Sequence, residues 1–127
     1  MPITGDLSWF PRLPALDLWL RLYDRAARAN GGEPDAGRRL LSWALAAGFD
    51  DITPTGSIWC FATAETRDWW GGMWADRILQ SDLSRQLVDS GMATTVELKE
   101  ISAAWRSWAG APDSWLAMPH GEILCRA

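Results

Sequence analysis

The sequence predicts an α+β fold with about four helices and a small, mainly two-stranded antiparallel sheet. Residues 35–63 have the pattern of a helix, a glycine stop and an apolar strand. Apolar residues recur at helical spacing in three further segments, and a second apolar segment follows residue 121. We predict that this last segment pairs with residues 57–63. All 127 residues are predicted to form a single domain.

The first part of the chain is predicted to be an extended arm followed by a helix. Three prolines among the first fourteen residues keep positions 1–13 out of a helix, because proline lacks the backbone N–H that a helix uses. The first helix is predicted over residues 15–29 and ends before Gly31. Its apolar stripe consists of Leu16, Trp19, Leu20, Tyr23 and Ala27.

A second helix and a strand are predicted within residues 35–63. Asp35 is suited to cap the helix, and Gly48 is suited to the left-handed position that ends it. The helix has a wide apolar stripe, which predicts packing against a large surface. The strand at residues 57–63 is apolar on both faces, which predicts an inner strand of a sheet covered on both sides.

The following segment, W-W-G-G-M-W at residues 69–74, is predicted to be irregular because its two glycines weaken a helix. A third helix is predicted from Ala75 to Asp89. Before it, residues 65–68 are interpreted as a solvated turn.

The last helix and strand are predicted from a capping box and from a proline. Thr94 and Glu97 form the T-x-x-E pattern that opens a helix. Trp105 and Trp108 lie on the apolar stripe of that helix and are assigned to the core. Because Pro119 interrupts the last apolar segment, a short strand is predicted from about residue 122.

Composition excludes several classes of function. The net charge is −4 and there is no basic patch, so nucleic acid is not expected as a partner. No apolar run reaches about 18 residues, so neither a transmembrane helix nor a membrane partner is predicted. The first residues lack the features of a signal peptide, so a cytoplasmic location is expected.

Metal and cofactor motifs are absent from the sequence. Cys60 and Cys125 do not make a disulfide framework and are interpreted as reduced core thiols, each in a candidate strand. There is no C-x-x-C motif and no histidine cluster, so no metal site is predicted. No glycine-rich phosphate loop follows a strand, so no cofactor-binding residue is predicted.

Three residues are candidates for acid–base chemistry, although no catalytic residue is assigned. His120 is the single histidine, and Glu122 is its nearest carboxylate in the sequence. Its alternative role is that of an exposed or locally bonded imidazole. Glu65 and Asp68 are the other candidates, and for them the alternative is the solvated turn.

The ten tryptophans are more than a core of this size needs, which indicates that some line a cavity or an interface. We predict a pocket with aromatic walls and a few polar anchors for a hydrophobic small molecule. The predicted walls are Trp9, Phe10, Trp69, Trp70, Met73 and Trp74.

Six stretches share a resemblance: D-L-S-W-F-P at residues 6–11, A-L-D-L-W-L-R-L-Y at 15–23, P-D-A-G-R-R-L-L-S-W-A-L-A-A-G-F-D-D-I at 34–52, G-S-I-W-C-F-A at 56–62, T-V-E-L-K-E-I-S-A-A-W-R-S-W at 95–108 and L-A-M-P-H-G-E-I-L-C-R at 116–126. They resemble the C-terminal half of class I S-adenosylmethionine-dependent methyltransferases of the ubiquinone/menaquinone-biosynthesis-like (type 11) group. The resemblance implies a fragment of a Rossmann-like α/β fold. It makes residues 37–49 the last crossover helix and its exit into the sixth strand, and it makes the final segment the antiparallel closing strand.

The same resemblance implies that S-adenosylmethionine is the cofactor and that this chain alone binds none of it. The glycine-rich loop after the first strand and the acidic residue after the second strand have no counterpart here, because the chain starts about where the fifth strand would end. No cofactor-binding residue is therefore carried over. The substrate side is carried over, to the loop at residues 8–11 and the inserted helix at 69–78.

Three functional hypotheses remain open, and enzymatic activity is undecided. The first is a substrate-side part or split subunit of a methyltransferase, inactive until a partner chain supplies the missing half. The second is a stand-alone ligand-binding or assembly module that forms a homodimer. The third is a small non-methylating enzyme that uses the tryptophan-lined pocket.

Overall fold

A computed structural model describes residues 7–127, which form five α-helices, one 3-10 turn and a three-stranded antiparallel sheet. The predicted α+β class is confirmed. The first six residues of the predicted extended arm lie outside the described part. In chain order the elements are β1 (Ser8–Phe10), α1 (Pro14–Ala29), the 3-10 turn (Gly37–Arg39), α2 (Leu40–Ala46), β2 (Asp51–Phe61), α3 (Ala64–Arg77), α4 (Asp82–Asp89), α5 (Thr95–Gly110) and β3 (Trp115–Arg126).

The sheet has the order β1-β3-β2, with β3 antiparallel to both neighbours. The two strands pair as predicted, with Phe61 opposite Leu116 and Asp51 opposite Arg126. The predicted register is wrong, because residues 122–126 lie opposite residues 51–55, and residues 57–61 lie opposite residues 116–120. Strand β3 is longer than predicted, because Pro119 does not interrupt it. The proline lies beyond the pairs with β1, on a stretch where β3 has a neighbour on one side only, and such a position tolerates a missing N–H.

The prediction that residues 57–63 form a covered inner strand is wrong for this chain, because β2 is an edge strand. Ile58 is 69% exposed, and the side chains of Trp59 and Cys60 are exposed as well. The core assignment of Cys60 is therefore also wrong, and Cys125 is half-buried. Both thiols are free, and they lie at opposite ends of the β2–β3 pair.

Helix α2 ends as predicted, but its apolar stripe is not covered. Gly48 has a φ of 94°, and the N–H of Phe49 donates to the carbonyl of Ala44 at 3.1 Å, which closes the helix with a Schellman motif. Ala44 is buried, whereas Leu41 and Leu45 on the same stripe are exposed. The stripe predicts packing against a large surface, but no part of residues 7–127 covers Leu41 and Leu45.

The helices between residues 63 and 90 differ from the prediction. Helix α3 begins at Thr63, whose side chain accepts from the N–H of Thr66, and it continues through both glycines. A separate cap at Ser81 begins α4, so the single helix predicted from Ala75 to Asp89 is wrong. Gly71 lies at the crossing of α3 and α5, where a side chain has no room, and this packing stabilises the helix at that position. Gly72 has open space around it.

The predicted solvated turn at residues 65–68 is also wrong, because these residues form the first turn of α3. Arg67 is buried. Its Nε donates to the carbonyl of Ala109 at 3.2 Å and its Nη1 donates to that of Ala62 at 2.8 Å. The guanidinium group therefore joins the segment before α3 to the end of α5. Its bond to Ala109 satisfies a carbonyl group that the C-terminus of α5 leaves free.

Helix α5 carries the centre of the core. The capping box of Thr94 and Glu97 is confirmed, with hydrogen bonds of 2.9 and 3.1 Å. Trp105 and Trp108 are fully buried, as predicted. The indole N–H of Trp108 donates to the carbonyl of Phe10 at 3.1 Å, which ties α5 to strand β1.

Candidate functional site

An apolar pocket of about 130 Å³ lies between α1, α3 and β3. We call it the aromatic pocket. Helix α1 contributes an i,i+4 aromatic pair, and α3 contributes four residues at spacings of three and four, so each helix presents one face to the pocket. The lining residues are Leu7, Trp19, Tyr23, Trp70, Met73, Trp74, Arg77 and Met118.

Trp74 holds the walls of the aromatic pocket together. Its ring packs edge-to-face against Trp19, with the centroids 4.9 Å apart, and against Tyr23, with the centroids 5.7 Å apart. The ring of Trp70 lies 6.2 Å away on the same helix. Edge-to-face contacts at these distances are favourable beyond the burial of area, so the walls are held in one arrangement.

Arg77 brings positive charge to the mouth of the aromatic pocket. Its guanidinium carbon lies 4.7 Å from the centroid of the Trp74 ring, which is a cation–π contact. The side chain is exposed, and none of the ion pairs formed within residues 7–127 involves it.

On α1, burial raises the pKa of the Asp24 carboxyl, and Arg28 opposes this rise.

A polar groove continues from the aromatic pocket between α1 and α4. It shares Tyr23 and Arg77 with the pocket and has a volume of about 260 Å³. At its far end the side-chain amides of Asn30 and Gln86 exchange two hydrogen bonds of 2.9 and 3.0 Å. This reciprocal pair holds the end of α1 against α4, so the groove has a defined width.

The structure brings together three of the six predicted pocket residues, Trp70, Met73 and Trp74. Trp69 is 58% exposed because it lies about 100° around α3 from Trp70. Phe10 is exposed and pairs with Trp115 across the sheet. Trp9 is half-buried opposite Leu116 and lines a separate cleft with Leu7, Ser8 and Arg12.

Sequence reasoning missed four lining residues of functional interest. The sequence places Trp19 and Tyr23 on the apolar stripe of the first helix and does not single out Met118. Arg77 lies within residues 69–78, to which the resemblance carries the substrate side, but it is not among the predicted walls. The available signal was a second aromatic pair at i,i+4 spacing, besides Trp70 and Trp74 on the later helix. That spacing shows that each pair shares a helix face, but it does not show that the two faces meet.

The structure separates His120, which is buried on β3, from Glu65 and Asp68, which lie three residues apart on α3, and none of the three lines the aromatic pocket. His120 is 3% exposed, its Nδ1 lies 3.0 Å from the carbonyl oxygen of Met118, and its ring lies 4.2 Å from that of Trp59. Glu122 accepts a 2.5 Å hydrogen bond from Ser57 Oγ. The imidazole is therefore buried and locally bonded. Glu65 and Asp68 are exposed on α3.

Sequence comparison relates the chain to a protein described as an uncharacterized methyltransferase from Schizosaccharomyces pombe, with 33% identity over 107 residues. The matched region covers 81% of this chain. Over most of its length the chain is therefore similar to a protein that is described as a methyltransferase. It spans 38% of the length of the protein that it matches. No protein-family model matches the chain.

The described residues contain neither a metal-binding cluster nor a membrane-spanning helix. In residues 7–127 no group of three or more histidine, cysteine, aspartate or glutamate side chains is placed to hold a metal ion. No helix in that part of the chain has both the length and the apolar character needed to cross a bilayer.

Proposed function

We propose that this chain is the C-terminal, substrate-side part of an S-adenosylmethionine-dependent methyltransferase and is not active alone. It acts either as a region of a longer protein or as a subunit that a partner completes. The observation that carries the proposal is the relation to a methyltransferase over most of this chain but over only 38% of the relative. The sequence contains no glycine-rich loop for the methionine part of the cofactor, so its residues do not fit that cofactor by themselves.

The order and direction of the strands support the finer assignment to class I, type 11. In that assignment β1 is the end of the fifth strand, β2 is the sixth and β3 is the closing strand. Residues 8–10 then belong to the fifth strand and not to the loop after it, because they pair with β3. Helix α2 leaves through Gly48 and Phe49 into β2, and β3 runs antiparallel to both other strands. Both features agree with what the resemblance implies for the end of such an enzyme.

In this proposal the aromatic pocket holds the apolar part of the methyl acceptor. S-adenosylmethionine, bound by the missing half, supplies the methyl group. The residues of this chain bind and orient the acceptor, because its rigid aromatic walls leave few orientations for a bound group. The same aromatic walls also exclude water from the bound acceptor.

Isothermal titration tests this division of labour. We expect no heat of binding when S-adenosylmethionine is added to this chain alone at up to about 1 mM, which corresponds to affinities weaker than about −4 kcal/mol. We expect methyl transfer to appear when the chain is combined with a polypeptide that carries the glycine-rich cofactor loop. Tight binding of S-adenosylmethionine by this chain alone would show that the proposed division is wrong.

A second candidate function, a homodimeric ligand-binding or assembly module, is favoured by the uncovered apolar surface. Leu41, Trp43 and Leu45 on α2 are exposed, and so are Ile58 and Trp59 on β2. The outer edge of β2 also has unpaired backbone groups, since β2 is the last strand of the sheet. Exposed apolar side chains beside an open strand edge are typical of an association site.

Light scattering, which measures whether the chain is a monomer or a dimer, distinguishes this second candidate function from the first. A homodimer is expected to dissociate when Ile58 is replaced by lysine, because the charge lies on the exposed strand edge. Val96→Lys is the matched control, since Val96 has similar exposure on α5, away from the sheet. A wild-type chain that stays monomeric at high concentration counts against the homodimer and leaves the surface to a partner chain.

A further inference from the structure

The volume of the aromatic pocket limits what it can bind. The pocket measures about 130 Å³. An engineered apolar cavity of about 150 Å³ in another protein holds one benzene molecule. The volume of the aromatic pocket therefore matches a single six-membered ring. The pocket opens into the polar groove, so the rest of a larger ligand would lie there.

The walls of the aromatic pocket favour an aromatic ring over a saturated one. Trp70, Trp74 and Tyr23 present ring faces and edges, which gain from offset or edge-to-face contact with another ring. The thioethers of Met73 and Met118 complete the lining, and sulfur makes favourable contacts with aromatic edges. The methionine side chains are flexible and the aromatic rings are planar, so both kinds of side chain can fit against a flat ligand.

Arg77 gives the aromatic pocket a charge preference. It is the one charged residue among the eight that line the pocket, no carboxylate lines it, and no ion pair within residues 7–127 occupies the guanidinium group. The side chain is held over the Trp74 ring and is exposed. A guanidinium group in this position can donate two parallel hydrogen bonds to a carboxylate or another oxyanion at the pocket mouth.

From size, wall chemistry and charge together, we propose that the aromatic pocket binds one aromatic ring that carries an anionic oxygen substituent. The ring packs against the wall that Trp70, Trp74 and Tyr23 form together, and the anionic group is bound by Arg77. Any further part of the ligand continues along the polar groove past Tyr23. The inference depends on the proposed function only in calling this ligand the methyl acceptor.

The test uses three small probes and titration calorimetry on the intact chain. Benzoate has the ring and the anion, benzylamine has the ring with a cation, and acetate has the anion without the ring. We expect benzoate to bind about tenfold more tightly than benzylamine, since hydrogen bonds to a charged group contribute that much. We expect a similar advantage over acetate, because acetate lacks the apolar ring that the pocket buries. The variant Arg77→Gln is expected to remove the preference for benzoate over benzylamine.

Two further variants separate the charge from the ring. Arg106→Gln removes an exposed arginine that forms an ion pair with Asp76 outside the pocket, and it is expected to leave benzoate binding unchanged. Met73→Trp adds bulk to a lining position and is expected to abolish binding. Equal affinity for benzoate and benzylamine, or no binding of benzoate at about 10 mM, overturns the inference. These measurements need neither S-adenosylmethionine nor a partner, so their failure is distinct from failure of the proposed function.

Discussion

Replacing Gly71 by alanine is expected to destabilise the protein by about 1–3 kcal/mol, the usual cost of forcing extra volume into a packed core. A Cβ atom at this position would lie 2.8 Å from Cβ of Ala109 and 2.9 Å from the carbonyl oxygen of Trp105. Neither neighbour is the end of a flexible side chain. Helices α3 and α5 would therefore have to move apart.

Gly72→Ala is the matched control for this prediction. A Cβ atom at Gly72 meets nothing within 4 Å, and the residue lies in the same helix. Alanine there is expected to stabilise the protein by about 0.5–1 kcal/mol, because alanine has the higher helix propensity. Urea denaturation of both variants measures the difference, and equal midpoints would contradict the close crossing of α3 and α5.

The Gly71 variant also connects stability to the proposed site. Trp70 and Trp74 are carried by the turns of α3 around Gly71, so a shift of this helix displaces two walls of the aromatic pocket. Benzoate binding is expected to fall in Gly71→Ala and to persist in Gly72→Ala. Such a result would show that the helix crossing, besides stabilising the fold, shapes the pocket.

Replacing Trp105 by alanine is expected to cost about 3–5 kcal/mol in unfolding free energy, which is the range for a large aromatic side chain removed from a core. Trp105 is 0% exposed and packs edge-to-face on Trp19, with the ring centroids 5.0 Å apart. It also contacts the rings of Trp70 and Trp108. Its removal leaves a cavity bordered by three large rings that cannot collapse into the space.

Trp69→Ala is the control of the same residue type, because Trp69 lies mostly exposed on the outer face of α3. Its replacement is expected to change the unfolding free energy by about 1 kcal/mol or less. Urea denaturation followed by far-UV circular dichroism avoids the loss of fluorescence that accompanies any tryptophan substitution. If the two variants lost equal stability, Trp105 would not be the centre of the core.

The aromatic character of the pocket was predictable from the sequence, whereas the identity of its lining residues was only partly predictable. The excess of tryptophan indicated an aromatic cavity, and Trp70 and Trp74 lie in one. The partner face on α1 was not predictable, because Trp19 and Tyr23 meet Trp74 only through the packing of two helices about fifty residues apart in the chain. A stripe of apolar residues is the same pattern whether it borders a filled core or a pocket.

The sequence by itself determined the local features of this protein. The α+β class, the capping box at Thr94 and Glu97, and the glycine end of α2 at Gly48 were all readable. The two helix ends each depend on residues within about four positions of one another, where hydrogen bonds and backbone conformation follow from residue type. The class follows from the spacing of apolar residues along each segment.

Only the tertiary structure decided which surfaces meet. It placed β2 at the edge of the sheet with Ile58 exposed, although the strand has the apolar composition of an inner one. It kept α3 continuous through Gly71, because the close crossing with α5 outweighs the low helix propensity of glycine. Propensity and periodicity describe one element at a time, whereas edge position, helix crossing and the aromatic pocket depend on contacts between elements distant in the sequence.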